Sequence, residues 1–446
     1  MTNRLACVML MGTMLMATLA QARPAEDSLE SAPTDSILEH PKDISPWMVR
    51  GTKAPLSRRS STAHALGRSL MVIPETVFWL ASRPATTLIN WDERKGASKK
   101  VMSWFTRDVQ PINTRFSAYL GYESGFGMTV LGLRINSDDW YGTGLQNRFR
   151  FSFLSPHKNI VEMKFAGGSE DNFSFSTRSR FKRVSGRDYY GSGLGDAHGS
   201  DFDSQIILNE IQVRHSLIES VDVALLGYSR ATRLLSRDDD ELASEYPDVF
   251  SQAEQNHYLG LEAELRRDTR DSGEMSTNGS LVRIAAGLNA AQRVEDSSYR
   301  HITAEWQGHR PLFRDRTLAV RLFYEGVDAD AMGRLPLTEL RGLGGRSNLR
   351  GYDRDRFRNA HLLAASVEYR YPVTKLFQGR LFSDWGTTAS TLDDIDLGTL
   401  HWSGGLGLLM SLDDDVFIIQ YAHGDQGGHI FVGTSTPFGY ESRRKR

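Results

Sequence analysis

From Asn113 onward the chain alternates apolar and polar residues with a period of two, run after run. That period puts successive side chains on opposite faces of a strand, so the pattern calls for sheet and excludes amphipathic helix. Sixteen runs can be marked: 113–123, 126–136, 144–154, 159–167, 172–184, 205–216, 219–230, 257–268, 281–292, 298–308, 316–326, 360–371, 378–387, 401–411, 415–423 and 428–438. Many approach the roughly 9–11 residues that a tilted strand needs to cross a hydrocarbon core. Short links alternate with long ones, the long ones being 185–204, 231–256 and 326–360.

Alternation alone fits a secreted sandwich as well as a membrane barrel. The polar faces separate the two. In 360–371, Leu363, Ala365, Val367, Tyr369 and Tyr371 share one face, while Ser366, Glu368 and Arg370 share the other. In 316–326, Leu318, Val320, Leu322 and Tyr324 oppose Arg321 and Glu325. In 257–268, Leu259, Leu261, Ala263 and Leu265 oppose Glu262, Glu264 and Arg266. In 298–308, Ile302, Ala304 and Trp306 oppose His301, Thr303, Glu305 and Gln307. An even series of such strands suits a closed cylinder with lipid outside and a wet, charged lumen. Closure follows from physics, because unpaired backbone groups at a sheet edge cost several kcal/mol each in hydrocarbon. The expected fold is an all-β, 16-stranded antiparallel outer-membrane β-barrel, preceded by a short helical periplasmic segment.

The start of the chain agrees with that address. Arg4 precedes an apolar or small run, residues 5–19, and Ala20-Gln21-Ala22 is a small-x-small cleavage site. Residues 1–22 read as a secretory signal peptide. The run is shorter than the roughly 20 residues of a spanning helix, and no later run is long enough for one. Cys7 is the only cysteine and falls within that signal. A disulfide scaffold and a cysteine metal site are therefore excluded. The net charge of −2 becomes −3 once Arg4 is removed, too balanced for a nucleic-acid partner.

Residues 23–68 are polar, without a sustained period, and read as a flexible periplasmic tail. Residues 69–111 carry Pro74 and Pro84, with helical stretches opening near Glu75 and after Asn90. These helices are expected either at the membrane interface or inside the barrel as a plug. The barrel then occupies 112–438, and 439–446 is a basic tail.

The most informative stretch is 342–386. A glycine-rich loop carries Arg350 within Arg350-Gly351-Tyr352, and the strands behind it carry Glu368 and Asp384. An arginine on a long loop and acids on adjacent strands make sense if the loop folds into the barrel and pairs with its wall. Gly351 suits a backbone that needs unusual dihedrals. The ordered motifs resemble the BamA/TamA-type outer-membrane assembly barrels, also called the bacterial surface antigen family. Gly344-Gly345 through Leu349-Arg350-Gly351-Tyr352 resembles the family's loop-six motif. Glu368-Tyr369-Arg370-Tyr371-Pro372 is similar to its next strand, and Phe382-Ser383-Asp384-Trp385-Gly386 to its aromatic-x-Asp-x-Gly strand. Gly405-Leu406-Gly407, Gln420-Tyr421-Ala422 and the terminal aromatic Phe438 follow in family order. Upstream, Tyr189 to Gly193 and Arg267 to Asp271 are weaker matches.

The resemblance implies that Arg350 sits in the lumen and pairs with Asp384 and Glu368. It also implies that the first strand, 113–123, meets the last, 428–438, at a seam able to part sideways. Phe438 would close the barrel and serve as its sorting signal. Such assembly factors carry repeated periplasmic transport-associated domains. Residues 23–111 hold one such length at most, so the chain reads as a member without them.

The expected function is that of an insertase or translocase barrel. The alternative is a passive or plugged channel, or a structural surface antigen. The expected partners are outer-membrane lipid, a translocated protein or lipid substrate, and the barrel-assembly machinery that inserts the chain itself. An enzyme is not expected: there is no nucleophile elbow, zinc-protease motif or phosphate loop, and His301, His423 and His429 have no motif partners. No cofactor or metal is implied.

Overall fold

The computed structural model describes residues 106–439, apart from 110–113, 124–126, 169–171, 192–198, 236–240, 273–274, 294–296, 314, 330–334, 374–376, 413–414 and 434–436. The expected signal and periplasmic tail, residues 69–105 of the expected helical segment and residues 440–446 of the basic tail lie outside these residues. Where that helical segment is described, at 106–109, it is a strand paired with the first barrel strand rather than a helix, a correction to the expectation.

A short strand, β1 (Thr106–Val109), leads into the barrel. The first eight barrel strands are β2 (Thr114–Glu123), β3 (Gly127–Ser137), β4 (Gln146–Ser155), β5 (Lys158–Gly168), β6 (Phe173–Tyr189), β7 (Ser200–Ile218), β8 (Val221–Leu235) and β9 (Gln255–Asp268). Next come β10 (Gly279–Ala291), β11 (Tyr299–Pro311) and β12 (Thr317–Ala329). Two three-residue strands, β13 (Arg341–Leu343) and β14 (Phe357–Asn359), pair only with each other. The last five are β15 (His361–Pro372), β16 (Phe377–Ala389), β17 (His401–Leu412), β18 (Asp415–Gly424) and β19 (Gly427–Gly433). One 17-stranded sheet holds them all except β13 and β14, so sixteen strands remain once β1 is set aside. The ladders are antiparallel between consecutive strands, and β19 lies next to β2 in the sheet order, returning the sheet to its start.

The two faces differ as a membrane requires. Leu225, Leu261, Leu288, Trp306, Leu322 and Ile419 are exposed large apolar side chains on the outer face. Glu305, Arg321, Ser366, Glu368, Asp384 and Gln420 are buried polar side chains on the inner one. Lipid supplies the apolar surroundings of the outer face, so the core of this protein is polar, with aromatic clusters mainly at the end that carries the long loops. Tyr258 and Tyr299 pack edge to face there, with Val327 and Leu335. Among the described residues no helix is long and apolar enough to cross a membrane.

Strand boundaries follow the sequence pattern closely, with three informative departures. First, β6 and β7 run on to Tyr189 and from Ser200, so much of the expected link 185–204 is a paired hairpin. The register shifts between Val184 and Arg187, where Gly186 takes a φ of 65°. A bulge of this kind breaks the two-residue period without ending the strand. Second, the link 231–256 contains two short helices, α1 (Glu241–Glu245) and α2 (Pro247–Ala253). Leu242 and Ala253 bury themselves against Phe202 and Leu234 at the loop end of the barrel. Third, the last strand stops at Gly433, so Phe438 is not on it.

Replacing Leu261→Arg, on the lipid face near the middle of β9, should destabilise the barrel by about 2–4 kcal/mol. Unfolding titrations in lipid vesicles would measure this, with Glu262→Gln on the opposite face as the milder comparison.

Candidate functional site

The loop between β12 and β15 turns back into the barrel. Its base is the β13–β14 hairpin, which pairs Arg341 with Asn359 and Leu343 with Phe357. Leu343, Leu349, Tyr352 and Phe357 pack with Phe323 and Leu362 of the wall. Local hydrogen bonds shape the tip. Asn348 receives the Gly344 N–H at 3.0 Å and donates to the Gly342 carbonyl at 3.0 Å. The Gly345 N–H donates to the Tyr352 carbonyl at 3.0 Å.

That fold delivers Arg350 to the inner wall. Its Nε and Nη2 donate to the two oxygens of Asp384 at 2.7 and 2.8 Å. Its Nη1 donates to Glu368 at 2.7 Å and to Gln420 at 3.3 Å. Its backbone N–H also reaches Asp384, at 3.1 Å. The guanidinium lies 3.5 Å from the centre of the Phe382 ring. All three guanidinium nitrogens are thus used, and three strands, β15, β16 and β18, each supply a partner. A planar fork of donors suits this bidentate geometry as lysine would not.

Gly351 is forced by space and by dihedral. Its φ is 109°, and an added Cβ would come within 2.7 Å of the Ser403 Cβ. The next residue, Tyr352, donates its hydroxyl to Asp425 at 3.0 Å, between β18 and β19. Burial pushes this phenol up to about 12, so it remains a donor at neutral pH.

Arg350, Glu368 and Asp384 therefore meet. Gly344, Gly345, Gly351 and Tyr352 form the turn that holds Arg350 in place. Phe438 stands elsewhere and corrects the expectation that it ends the last strand. It is fully buried, with Arg370 4.7 Å above its ring and His309 edge-on at 5.5 Å. Its carbonyl accepts from Arg270 at 3.3 Å. The buried cations of this region draw the chain end inward, which a two-residue period could not indicate.

Glu368 joins the two levels. One of its oxygens accepts from Arg350; the other accepts from Arg370 at 3.0 Å and Arg380 at 3.2 Å. Arg370 continues to the Ser276 carbonyl at 3.1 Å, and Arg380 to Met275 at 3.8 Å. Both belong to the turn between β9 and β10, at the opposite end of the barrel from the long loops. In that turn burial opposes the Asp271 charge, but hydrogen bonds from Ser276, Thr277 and Asn278 prevail and hold its carboxyl below the usual range. A polar column thus runs from the loop, through Glu368, to the far turn.

Sequence reasoning missed the loop's contacts with the last strand. Arg346 donates to the Val432 carbonyl of β19 at 3.4 Å, Arg356 to Gln426 at 2.8 Å, and Asp353 lies 3.7 Å from His429. His301, which had no motif partner, sits against Glu262 at 3.0 Å and Asn289 at 2.8 Å. Among the described residues no group of acids and histidines is placed to hold a metal ion.

These features can be set beside known proteins. A profile of the Omp85 superfamily domain matches residues 120–411. The chain belongs to the Omp85 superfamily. Membership makes its barrel one of the outer membrane. The fold is similar to the crystal structure of BamA from Haemophilus ducreyi lacking POTRA domains 1–3, with a TM-score of 0.55 and 15% identity, covering 73% of each chain. CdiB from Acinetobacter baumannii gives a TM-score of 0.46 at 12% identity, over 72% of this chain and 56% of that one. CdiB from Escherichia coli gives 0.48 at 11%, over 73% and 62%. No curated protein sequence matches.

Arg350→Ala leaves two buried carboxylates short of their cation and should cost about 3–5 kcal/mol. Arg350→Lys should fall between, since it keeps the charge and loses the fork. Amide exchange across 341–359 should accelerate in that order; equal exchange in all three proteins would show that the pair does not hold the loop.

Proposed function

We propose that this barrel moves a protein or lipid substrate into or across the outer membrane, with the Arg350 loop as the braced element and the β2–β19 junction as the part that opens. Omp85 membership supports a translocase-like barrel rather than a catalyst. The observation that carries the finer reading is the span of the loop. Arg350 is fixed to β15, β16 and β18, while Arg346, Asp353 and Arg356 touch β19 and the turn before it. One loop thereby ties the fixed wall to the terminal strand. Of the seven residues over which that strand is described, Gly427, Gly428 and Gly433 bring no side chain, which weakens its ladder.

In this reading residues 1–22 act as a cleaved signal, 23–68 as a periplasmic tail, 69–105 as the interface or plug segment, and 439–446 as a basic tail. Outer-membrane lipid surrounds the barrel, and the barrel-assembly machinery inserts it. A second reading, a passive or plugged channel serving as a surface antigen, draws on how completely the loop fills mid-lumen, where Leu349 and Arg350 are 0% exposed.

A disulfide between cysteines placed on β2 and β19 separates the readings. Locking the junction should abolish substrate insertion or passage and restore it on reduction, while the barrel stays folded by heat-modifiable mobility. Undiminished activity in the locked barrel would remove the lateral opening from the proposal.

A further inference from the structure

β1 occupies an edge of the barrel that closure assigns to the last strand. A strand offers two edges for ladders. Along one of them β2 pairs with β3, from Thr114 to Glu123. Along the other it pairs with β1, antiparallel and in register: Thr106 opposite Ser117, Arg107 opposite Phe116, Asp108 opposite Arg115 and Val109 opposite Thr114. Thr114 to Ser117 therefore have both edges filled. The sixteen barrel strands alternate in direction, so β19 runs opposite to β2, and so does β1. β1 stands on β2 as a last strand would.

The last strand itself engages β2 far less. It lies next to β2 in the sheet order, but among the described residues the two share no register of opposed residues. Its ladder is with β18, from Gly427 to Gly433. The chain end does not follow β2 either. Phe438 is buried several strands away, with Arg370 of β15 4.7 Å over its ring and His309 of β11 edge-on, and its carbonyl accepts from Arg270. Phe438 and Thr114 lie at the same end of the barrel, opposite the long loops. Unpaired backbone groups at a sheet edge are costly in hydrocarbon and template pairing with any extended chain. One edge holds one strand, so whatever pairs with Thr114 to Ser117 does so in place of β1.

We propose that β1 is a resident edge strand. It seals the start of β2 in place of the last strand while Phe438 holds the chain end in the lumen. It must leave before the end of this chain, or any other strand, can pair there. The purpose of this device rests on the junction reading, since it sets when that junction is free. Its occupancy does not, and is tested without a substrate.

The test uses the full chain in lipid vesicles, without Cys7 and with the pair Asp108→Cys/Arg115→Cys. Directly opposed residues of antiparallel strands have Cα atoms about 4.5–5.5 Å apart, within disulfide range. Mild oxidation should join this pair, as read by mass spectrometry of the digested protein. Asp108→Cys/Tyr119→Cys, offset along β2 by about 13 Å, should stay unjoined, whereas a segment free of β2 would join both. Phe438→Ala frees the chain end to contest the edge. It should lower the yield of the 108–115 disulfide in a barrel still folded by heat-modifiable mobility. Asp108→Pro/Val109→Pro removes ladder donors from β1 and should speed amide exchange over Thr114 to Ser117. Joining of both cysteine pairs or of neither, a yield that ignores Phe438→Ala, or unaltered exchange in the proline variant would overturn the proposal. A β2–β19 disulfide reports on lateral opening separately, so either reading can fail alone.

Discussion

A guanidinium stripped of water inside a membrane barrel is tolerable only when its charge and all its donors are answered. Arg350 meets that condition through Asp384, Glu368 and Gln420, and it does so from a loop. The loop must therefore enter the barrel, its tip must turn tightly at Gly351, and three strands must present their acceptors at one depth. Removing one partner strands the others, so the set stands or falls as a unit.

Glu368 extends that constraint through the molecule. It is shared by arginines at 350, 370 and 380, and the last two hold the turn between β9 and β10 and the ring of Phe438. The two ends of the barrel are thus linked by hydrogen-bonded side chains rather than by an apolar core. The lipid-facing side contributes in the ordinary way, by removing apolar area from water. The specificity of the arrangement comes from the inner side.

The barrel was legible because lipid on one face and water on the other enforce strict alternation, and a one-residue slip would expose charges such as Glu264 to hydrocarbon. Arg350, Glu368 and Asp384 were legible because their residue types are costly to bury except together. What escaped has equally physical causes. The bulge at Gly186 hid the extension of β6 and β7, since a local twist breaks the period. The β13–β14 hairpin and the contacts of Arg346 and Arg356 exist only once the cylinder closes, so no local pattern marks them. Phe438 is placed by Arg370, His309 and Arg270, residues far from it in sequence.

The central claim is that the loop is folded into the lumen around Arg350, and accessibility measures it most directly. Single cysteines at Leu349, which is 0% exposed, and at Arg354, whose side chain is 31% exposed, would be treated with a membrane-impermeant maleimide in a background without Cys7. The account predicts rapid labelling at 354 and labelling at 349 only after denaturation. Equal, rapid labelling at both positions would place the loop outside the barrel and contradict it.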